Sequence, residues 1–175
     1  MSSPGALRAL RDMAPADLPR VAELEGELFG AGAWSPDLLA AELEAAAVGG
    51  ARPPDRRYVV VEDDDGGIAG YAGLYHAGGA GDADLLTIAT VPALRRRGLA
   101  SLMLAELIGT ARDLGCGAVL LEVRRSAAGA QRLYRAHGFE PIGLRRHYYQ
   151  APREDAVVMR RMLRPGPGPV GAEAV

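Results

Sequence analysis

Three consecutive arginines and a glycine separate an apolar run from an amphipathic stretch and form the clearest candidate site in the sequence. The run, residues 85–91, stops at Pro92, which has no N–H group to continue a central strand. Residues 98–114 then show the period of an amphipathic helix. The first N–H groups of a helix are unpaired, and its dipole is positive at that end. Because Gly98 also lets a bulky group approach the backbone, we expect this arginine turn, residues 95–100, to hold a phosphate-bearing ligand.

A solvated basic turn before a helix would have the same residues as the arginine turn. Spacing alone therefore leaves both interpretations open. The turn has neither the G-x-G-x-x-G pattern of dinucleotide-binding folds nor the Gly-Lys-Ser/Thr ending of a P-loop. Neither of those two phosphate sites is predicted.

A second candidate is Glu122, a carboxylate inside a strand of leucine and valine. Residues 118–123 form a near-continuous apolar run, which is typical of a strand covered on both faces. Glu122 would then either reach solvent at the end of the strand or line a cleft. A carboxylate that lines a cleft can accept a proton from a bound substrate.

A third candidate is Tyr134, in a short predicted helix over residues 126–137, where Ser126 can supply the N-cap. A helical tyrosine next to a buried leucine is more often part of the core or its rim than a catalyst. His137, in the last turn of this helix, is expected to act as a C-terminal capping cation. The three histidines are not at metal-ligand spacing, so we predict no metal site.

Composition narrows the class of protein. The 175 residues favour one domain with a substantial core, and 20 basic against 22 acidic residues do not indicate a nucleic-acid scaffold. Cys116 is the only cysteine, which excludes an internal disulfide and a cysteine metal cluster. No apolar run reaches about 18 residues, and the N-terminus has no signal-peptide pattern. We therefore expect a cytoplasmic protein without membrane contact.

The predicted elements follow the order β, α, α, three antiparallel strands, α, β, α, β, β. This order predicts an α+β, or mixed α/β, domain: a central, mostly antiparallel twisted sheet flanked by helices, with one parallel βαβ crossover around residues 98–114. Residues 1–164 form this single domain, and the Pro/Gly-rich residues 165–175 are expected to be a disordered tail. The predicted strands are residues 7–10, 58–62, 68–76, 82–91, 118–123 and 155–163, and residues 139–143 are predicted to begin a further strand region.

Two helices are predicted before the first long strand, at residues 12–29 and at about residues 36–47. Ser35 and Pro36 begin the second helix, because serine is a good N-cap and proline suits the first helical position. A hairpin turn is predicted at residues 63–67. The buried stripe of the first helix, at three- and four-residue spacing, contains Leu18, Val21, Ala22, Leu24, Glu25 and Leu28.

These motifs occur in a recognisable order: a strand, an R-R-x-G-x-A turn, a helix, an L-E-V strand, a helix with L-Y, and then G-F. The order resembles the GCN5-related N-acetyltransferase (GNAT) superfamily over residues 7–163. More narrowly, the chain resembles the RimI type, the ribosomal-protein alanine N-acetyltransferases. The pieces that resemble this type are A-W-S at residues 33–35, L-E-V-R at 121–124, R-R-H-Y-Y at 145–149 and E-D-A-V-V-M at 154–159.

The resemblance implies acetyl transfer from acetyl-CoA to the α-amine of a protein N-terminus, here an alanine of a ribosomal small-subunit protein. It aligns Glu122 with the general base of the family and Tyr134 with the general acid. Acceptor contacts are expected at Trp34, Tyr148 and Tyr149. Acetyl-CoA contacts are expected at the backbone of Ile88, Ala89 and Thr90, and contacts with its pyrophosphate at Arg95, Arg96, Arg97, Gly98, Leu99 and Ala100.

One residue departs from the RimI pattern. Ala127 stands where an asparagine usually contacts the cofactor, so a lower cofactor affinity is expected. Two other functions stay open on sequence alone: acetylation of a small amine, such as an antibiotic or a polyamine, and a catalytically silent module that binds acetyl-CoA. A monomer is expected.

Overall fold

A seven-stranded mixed sheet with four α-helices occupies the part of the chain that the structure describes, residues 9–49 and 53–163. The structure is a computed structural model. Its helices are α1 (Leu18–Phe29), α2 (Pro36–Ala45), α3 (Leu99–Asp113) and α4 (Ala128–Ala136). Its strands are β1 (Leu10–Asp12), β2 (Arg56–Glu62), β3 (Ile68–Tyr75), β4 (Ala83–Thr90), β5 (Ala118–Arg124), β6 (Glu140–Gln150) and β7 (Arg153–Met162).

The strand order is β1-β2-β3-β4-β5-β7-β6. Every neighbouring pair is antiparallel except β4 and β5, which are parallel and are joined through α3. Antiparallel strands can be linked by short turns, whereas a parallel pair needs a crossover such as a helix. The α+β fold with one parallel crossover is therefore confirmed.

Two hydrophobic clusters cover the two faces of the sheet. Val59 packs in the cluster that contains Met103 of α3, whereas its neighbour Val60 packs in the cluster that contains Leu24 of α1. This alternation follows from the two-residue period of a strand. Because α4 joins the first cluster and α2 the second, we call the two sides the α3–α4 face and the α1–α2 face.

The first helix begins later than the sequence predicted. Asp12 is the last residue of β1, and a 3-10 turn, Pro15–Asp17, separates this strand from α1. The Asp17 carboxylate accepts a hydrogen bond from the guanidinium of Arg11 at 2.7 Å, which ties the turn to β1. The predicted strand at residues 7–10 is therefore shifted to Leu10–Asp12, and residues 7 and 8 lie outside the described part.

Two predicted helix caps differ in the structure. Ala127, not Ser126, is the N-cap of α4, and the N–H of Ser126 donates instead to Glu154 of β7 at 2.6 Å. His137 does lie at the C-cap of α4. Burial and then Arg161 lower the pKa of His137, so the structure favours a neutral ring over the predicted cation.

Two local predictions are confirmed. The Ser35 hydroxyl accepts the N–H of Leu38 at 3.2 Å and caps α2. In the hairpin turn, Asp63 accepts the N–H of Gly67 at 2.7 Å, and Gly66 takes a φ of 82° that suits glycine.

The predicted tail, residues 165–175, lies outside the described part. Among the described helices, none is long and apolar enough to span a membrane.

Candidate active site

β4 and β5 pair only at their beginnings. Their parallel pairing joins Ala83 to Val119 and Asp84 to Leu120, and beyond these pairs the two strands, both described in full, separate. The separation begins at a β-bulge that leaves Leu86 without a direct partner in β3. A bulge bends its strand, which accounts for the change in direction of β4. The opening is a cavity of about 480 Å³, which we call the β4–β5 cleft.

The β4–β5 cleft is lined from both faces of the sheet. The α3–α4 face contributes Tyr134 and Ala130 of α4. The α1–α2 face contributes Glu25 of α1 and Trp34 of the loop that follows it. Glu122 of β5 lies between them in the wall of the cleft. Two molecules that approach from opposite faces could therefore meet inside it.

The edge of β4 along the cleft carries backbone groups that β3 does not use. The N–H of Val91 donates to the carbonyl of Ala69 at 2.9 Å. Because hydrogen-bonded pairs alternate along an antiparallel ladder, Ala89 bonds to β3 as well. The N–H and C=O groups of Ile88 and Thr90 point the opposite way, toward the cleft. Of the three residues expected to contact acetyl-CoA through their backbone, two thus face the cleft.

The arginine turn lies at the N-terminus of α3. Arg96 and Gly98 have φ values of 63° and 79°, so both adopt the left-handed backbone that favours glycine. No heavy atom beyond the neighbouring residues lies within 4 Å of the position that a Cβ at Gly98 would take. The N–H groups of Leu99 and Ala100 lie in the first turn of α3 and have no partner inside the helix. With three exposed arginine side chains, the turn offers donors and positive charge to an anion.

Glu122 points toward the α1–α2 face. Its neighbours Leu121 and Val123 are buried on the α3–α4 face, and successive residues of a strand alternate. The Glu122 side chain is 29% exposed, and its Oε1 lies 2.9 Å from Nη1 of Arg145 on β6. The carboxylate is thus ionically paired and oriented at the wall of the cleft.

Tyr134 approaches the cleft from the α3–α4 face. Its ring is 6% exposed and meets Phe139 edge to face, with the ring centroids 5.9 Å apart. Burial raises the pKa of Tyr134 above its ordinary value, so its hydroxyl keeps its proton at neutral pH. The expected acid and the expected base therefore flank the cleft from opposite faces.

The aromatic residues expected at the acceptor side are placed differently from one another. Trp34 and Tyr149 line the cleft, and the Tyr149 hydroxyl lies 3.4 Å from the carbonyl oxygen of Glu122. Arg124 stacks on the Tyr149 ring at 4.1 Å from its centroid. Tyr148 is 42% exposed, is not part of the lining, and lies under the guanidinium of Arg145.

An irregularity in β6 turns this aromatic pair. Arg145 pairs with Ala156 and Tyr149 with Glu154, so three residues of β6 lie opposite one residue of β7. At the centre of the irregularity His147 has a φ of 53°, and its N–H donates to Asp155 at 2.9 Å. Bulges of this kind redirect side chains next to functional sites.

Two residues of the site, Glu25 and Arg145, were not singled out by the sequence. Glu25 is 1% exposed and occupies a position in the buried stripe of α1, where a charge is unexpected. A charged residue at this otherwise apolar position was the signal by which the sequence could have identified Glu25. Arg145 belongs to the R-R-H-Y-Y segment, but nothing in its spacing indicates contact with Glu122, because β7 separates the two strands.

Cys116 is buried, and its Sγ lies 3.8 Å from the carbonyl oxygen of His76. Burial raises the pKa of the Cys116 thiol, which favours the unreactive protonated form.

Across residues 9–49 and 53–163, no three His, Cys, Asp or Glu side chains are grouped as metal ligands. The absence of a metal site stays a prediction.

The chain is similar to known acetyltransferases. The Acetyltransferase (GNAT) family model matches residues 18–139. The N-alpha-acetyltransferase RimI of Mycobacterium tuberculosis is 38% identical over 149 residues, which cover 83% of this chain and 87% of that protein. An uncharacterized protein of Mycobacterium leprae is 38% identical over 154 residues, which are 85% of this chain but only 39% of that protein.

Among solved structures, the ribosomal-protein-S18-alanine N-acetyltransferase of Escherichia coli superposes with a TM-score of 0.75. Its sequence is 26% identical, and the match covers 93% of this chain and 99% of that one. The expected GNAT fold and family are confirmed by these matches. The chain belongs to the GNAT family of acetyltransferases.

Proposed function

We propose that the chain transfers the acetyl group of acetyl-CoA to the α-amine of an N-terminal alanine, and that its acceptor is a small-subunit ribosomal protein. The observation that carries the proposal is the β4–β5 cleft, with Glu122 and Tyr134 on its opposite faces. The names of the M. tuberculosis and E. coli relatives support the class of acceptor.

The cleft and the arginine turn fit the two ends of acetyl-CoA, which supplies the activated acetyl group as a thioester. Ile88 and Thr90 offer backbone groups to an amide-bearing arm laid along β4, as an added strand would use them. The free N–H groups of Leu99 and Ala100, with the arginines beside them, suit a diphosphate. Ala127 lines the same cleft but offers no polar side chain, which supports the expectation of a weaker cofactor contact.

Glu122 takes the proton that the acceptor must lose. An α-amino group has a pKa of about 7.7–8.0, so near neutral pH much of it is protonated and cannot attack. The Glu122 carboxylate accepts this proton, directly or through one water, and the lone pair that is freed on nitrogen then bonds to the acetyl carbon. Its position on the α1–α2 face lets the acceptor enter from the side opposite α3 and α4.

Tyr134 assists the departing sulfur. When the carbon–sulfur bond breaks, the electron pair remains on sulfur, and the buried Tyr134 hydroxyl donates a hydrogen bond or its proton to it. The second proton, which the nitrogen loses as the amide forms, passes to the sulfur or restores the Tyr134 hydroxyl. The acetyl oxygen gains negative charge during the attack, and the N–H of Ile88, which points into the cleft, is a donor that can stabilise it. The transfer is direct and needs no covalent link to the chain.

Acetylation of defined peptides tests the proposal. The purified chain is incubated with acetyl-CoA and with peptides that begin with Ala, Ser or Met, or that carry Lys behind a blocked N-terminus. We expect α-acetylation of the Ala peptide, located by fragmentation mass spectrometry. Acetylation of the lysine side chain alone would contradict the proposal. Turnover of a polyamine without turnover of any peptide would favour a small-amine acetyltransferase instead.

A further inference from the structure

Glu25 is a fully buried carboxylate in the wall of the β4–β5 cleft. Its side chain belongs to α1 and is 1% exposed, yet it takes part in the lining of the cleft. The reaction as proposed above gives it no role. A buried charge without a counter-charge is costly, so its presence at this position needs a physical reason.

The contacts of Glu25 come from two neutral donors. Its Oε1 accepts the hydroxyl of Tyr71 at 2.9 Å, and its Oε2 accepts the N–H of Trp34 at 3.1 Å. Burial and then the charge of Glu25 raise the pKa of Tyr71, so this hydroxyl acts as the donor. None of the ion pairs formed within the described part of the chain includes Glu25.

A purely architectural role does not require the negative charge. A glutamine has the same shape and can accept the N–H of Trp34 while it bonds to the Tyr71 hydroxyl. A carboxylate has about four acceptor positions, and only two are used here. The structure thus holds a buried carboxyl group that is oriented by two donors, has unused acceptor positions and has no cationic partner among the described residues.

The position of Glu25 indicates on which face of the cleft a cationic group of a bound molecule would lie. Glu25 and Trp34 lie on the α1–α2 face, the face toward which Glu122 also points. Tyr134 lies on the opposite face, the side of α3 and the arginine turn. This end of the cleft therefore contains the carboxyl groups of Glu25 and Glu122, and a carboxylate in a region of low dielectric attracts a cation strongly.

We propose that Glu25 is a positioning and specificity-determining residue that attracts the positively charged α-ammonium group of the acceptor into the β4–β5 cleft. This inference rests on the proposed function and names what that site selects. Glu25 acts on acceptor binding, whereas Glu122 receives the proton during transfer. Acceptors with a cationic N-terminus gain affinity, and uncharged analogues of the same length do not.

Binding to the complex of the chain with CoA tests this directly, because no transfer can occur without the acetyl group. Two peptides are compared by calorimetry at pH 6.5: one begins with alanine, and the other begins with a propionyl group, which lacks only the amine. For the natural chain we expect about tenfold tighter binding of the alanyl peptide. This preference should fall as the pH rises through about 8, where the α-amine loses its charge.

The variant Glu25→Gln should remove this preference while leaving the binding of the propionyl peptide unchanged. In steady-state kinetics it should raise the KM for the alanyl peptide about tenfold, with kcat and the KM for acetyl-CoA within about twofold of the natural values. Glu27→Gln is the matched control, since Glu27 is also on α1, is 60% exposed and lies on its surface. This variant should leave the binding of both peptides unchanged.

Equal weakening of both peptides by Glu25→Gln would show an architectural role and overturn the inference. An unchanged preference for the alanyl peptide, or no preference in the natural chain, would overturn it as well. Failure of the proposed function is seen separately, as an absence of acetylated peptide in the turnover assay. The binding comparison does not depend on turnover, so the two failures are distinguishable.

Discussion

Arg145 and Glu122 form an ion pair that reaches across an intervening strand. Nη1 of Arg145 lies 2.9 Å from Oε1 of Glu122, although β7 separates β6 from β5 in the sheet. The same guanidinium lies 4.5 Å from the centre of the Tyr148 ring, which fixes it from a second side. The Arg145 side chain is 54% exposed, so solvent screens the pair. Its main effect is therefore the orientation of Glu122.

Replacement of Arg145 by glutamine should slow acetyl transfer without weakening the binding of acetyl-CoA. The Glu122 carboxylate would lose the partner that orients it, and a misplaced proton acceptor reduces the rate of the chemical step. We expect kcat with an alanyl peptide to fall about tenfold, with the KM for acetyl-CoA unchanged. Arg145→Lys should recover part of the loss, because it keeps the charge but not the guanidinium geometry.

Arg146→Gln provides the control for this prediction. Arg146 is the next residue of β6 and is exposed, so its substitution changes the net charge equally without touching Glu122. Initial rates of the three variants and the natural chain are measured at saturating acetyl-CoA. An equal loss of rate in Arg145→Gln and Arg146→Gln would attribute the effect to surface charge and not to the ion pair.

Glu122→Gln should have a larger effect on the same step. The amide cannot accept the proton of the ammonium group, and general acid–base catalysis typically contributes about 10²- to 10⁴-fold to a rate. We expect kcat to fall within that range and acetyl-CoA to bind normally by calorimetry. A rate within about twofold of the natural value would assign proton removal to another group, because glutamine keeps the shape of the side chain but not its basicity.

Tyr134 should remain protonated throughout the pH range in which the chain is assayed. Burial raises its pKa above the ordinary value of about 10, so the hydroxyl loses its proton only in more alkaline solution. Between pH 8 and about 10, the kcat at saturating peptide should therefore show no decrease that depends on Tyr134, so any decrease in the natural chain should also occur in Tyr134→Phe. A descending limb in that interval that is present in the natural chain and absent in Tyr134→Phe would contradict this protonation state.

Local sequence signals predicted most elements of the fold, whereas the pairing of Glu122 and Tyr134 as candidate base and acid came from the family resemblance. The strand that ends at Pro92, the cap at Ser35 and the apolar β5 are set by nearby residues, so their periods and turn chemistry were sufficient. The start of α1 was misplaced because Asp12 pairs with β2, far along the chain, and this pairing overrides a helical pattern.

The contacts that position Glu122 and Glu25 were the part of the site that the sequence did not predict. The Arg145–Glu122 contact depends on the strand order, which places β7 between their strands. The course of β6 depends on an irregularity at His147, where the backbone takes a positive φ that is uncommon outside glycine. Glu25 was visible as a position in a buried stripe, but its partners Tyr71 and Trp34 come from other elements. Such long-range relationships have no local period to reveal them.

Gly98→Ala should weaken acetyl-CoA binding at the arginine turn. The φ of 79° at this position strains any residue with a Cβ, at a cost of roughly 1 kcal/mol in the free energy of unfolding. The new methyl group would also occupy the open space beside the N–H groups of Leu99 and Ala100. We expect the KM for acetyl-CoA to rise about tenfold, with the peptide KM unchanged and a slightly lower Tm.

Gly109→Ala separates the loss of the phosphate site from a general effect on α3. Gly109 lies within the same helix, has an ordinary helical backbone and has free space around a Cβ. Alanine favours a helix interior over glycine by up to about 1 kcal/mol, so this variant should gain stability and keep its acetyl-CoA KM. If Gly98→Ala also kept its KM while its Tm fell, the diphosphate would have to bind away from the N-terminus of α3, because the strain at residue 98 would then be present without any cost to the cofactor.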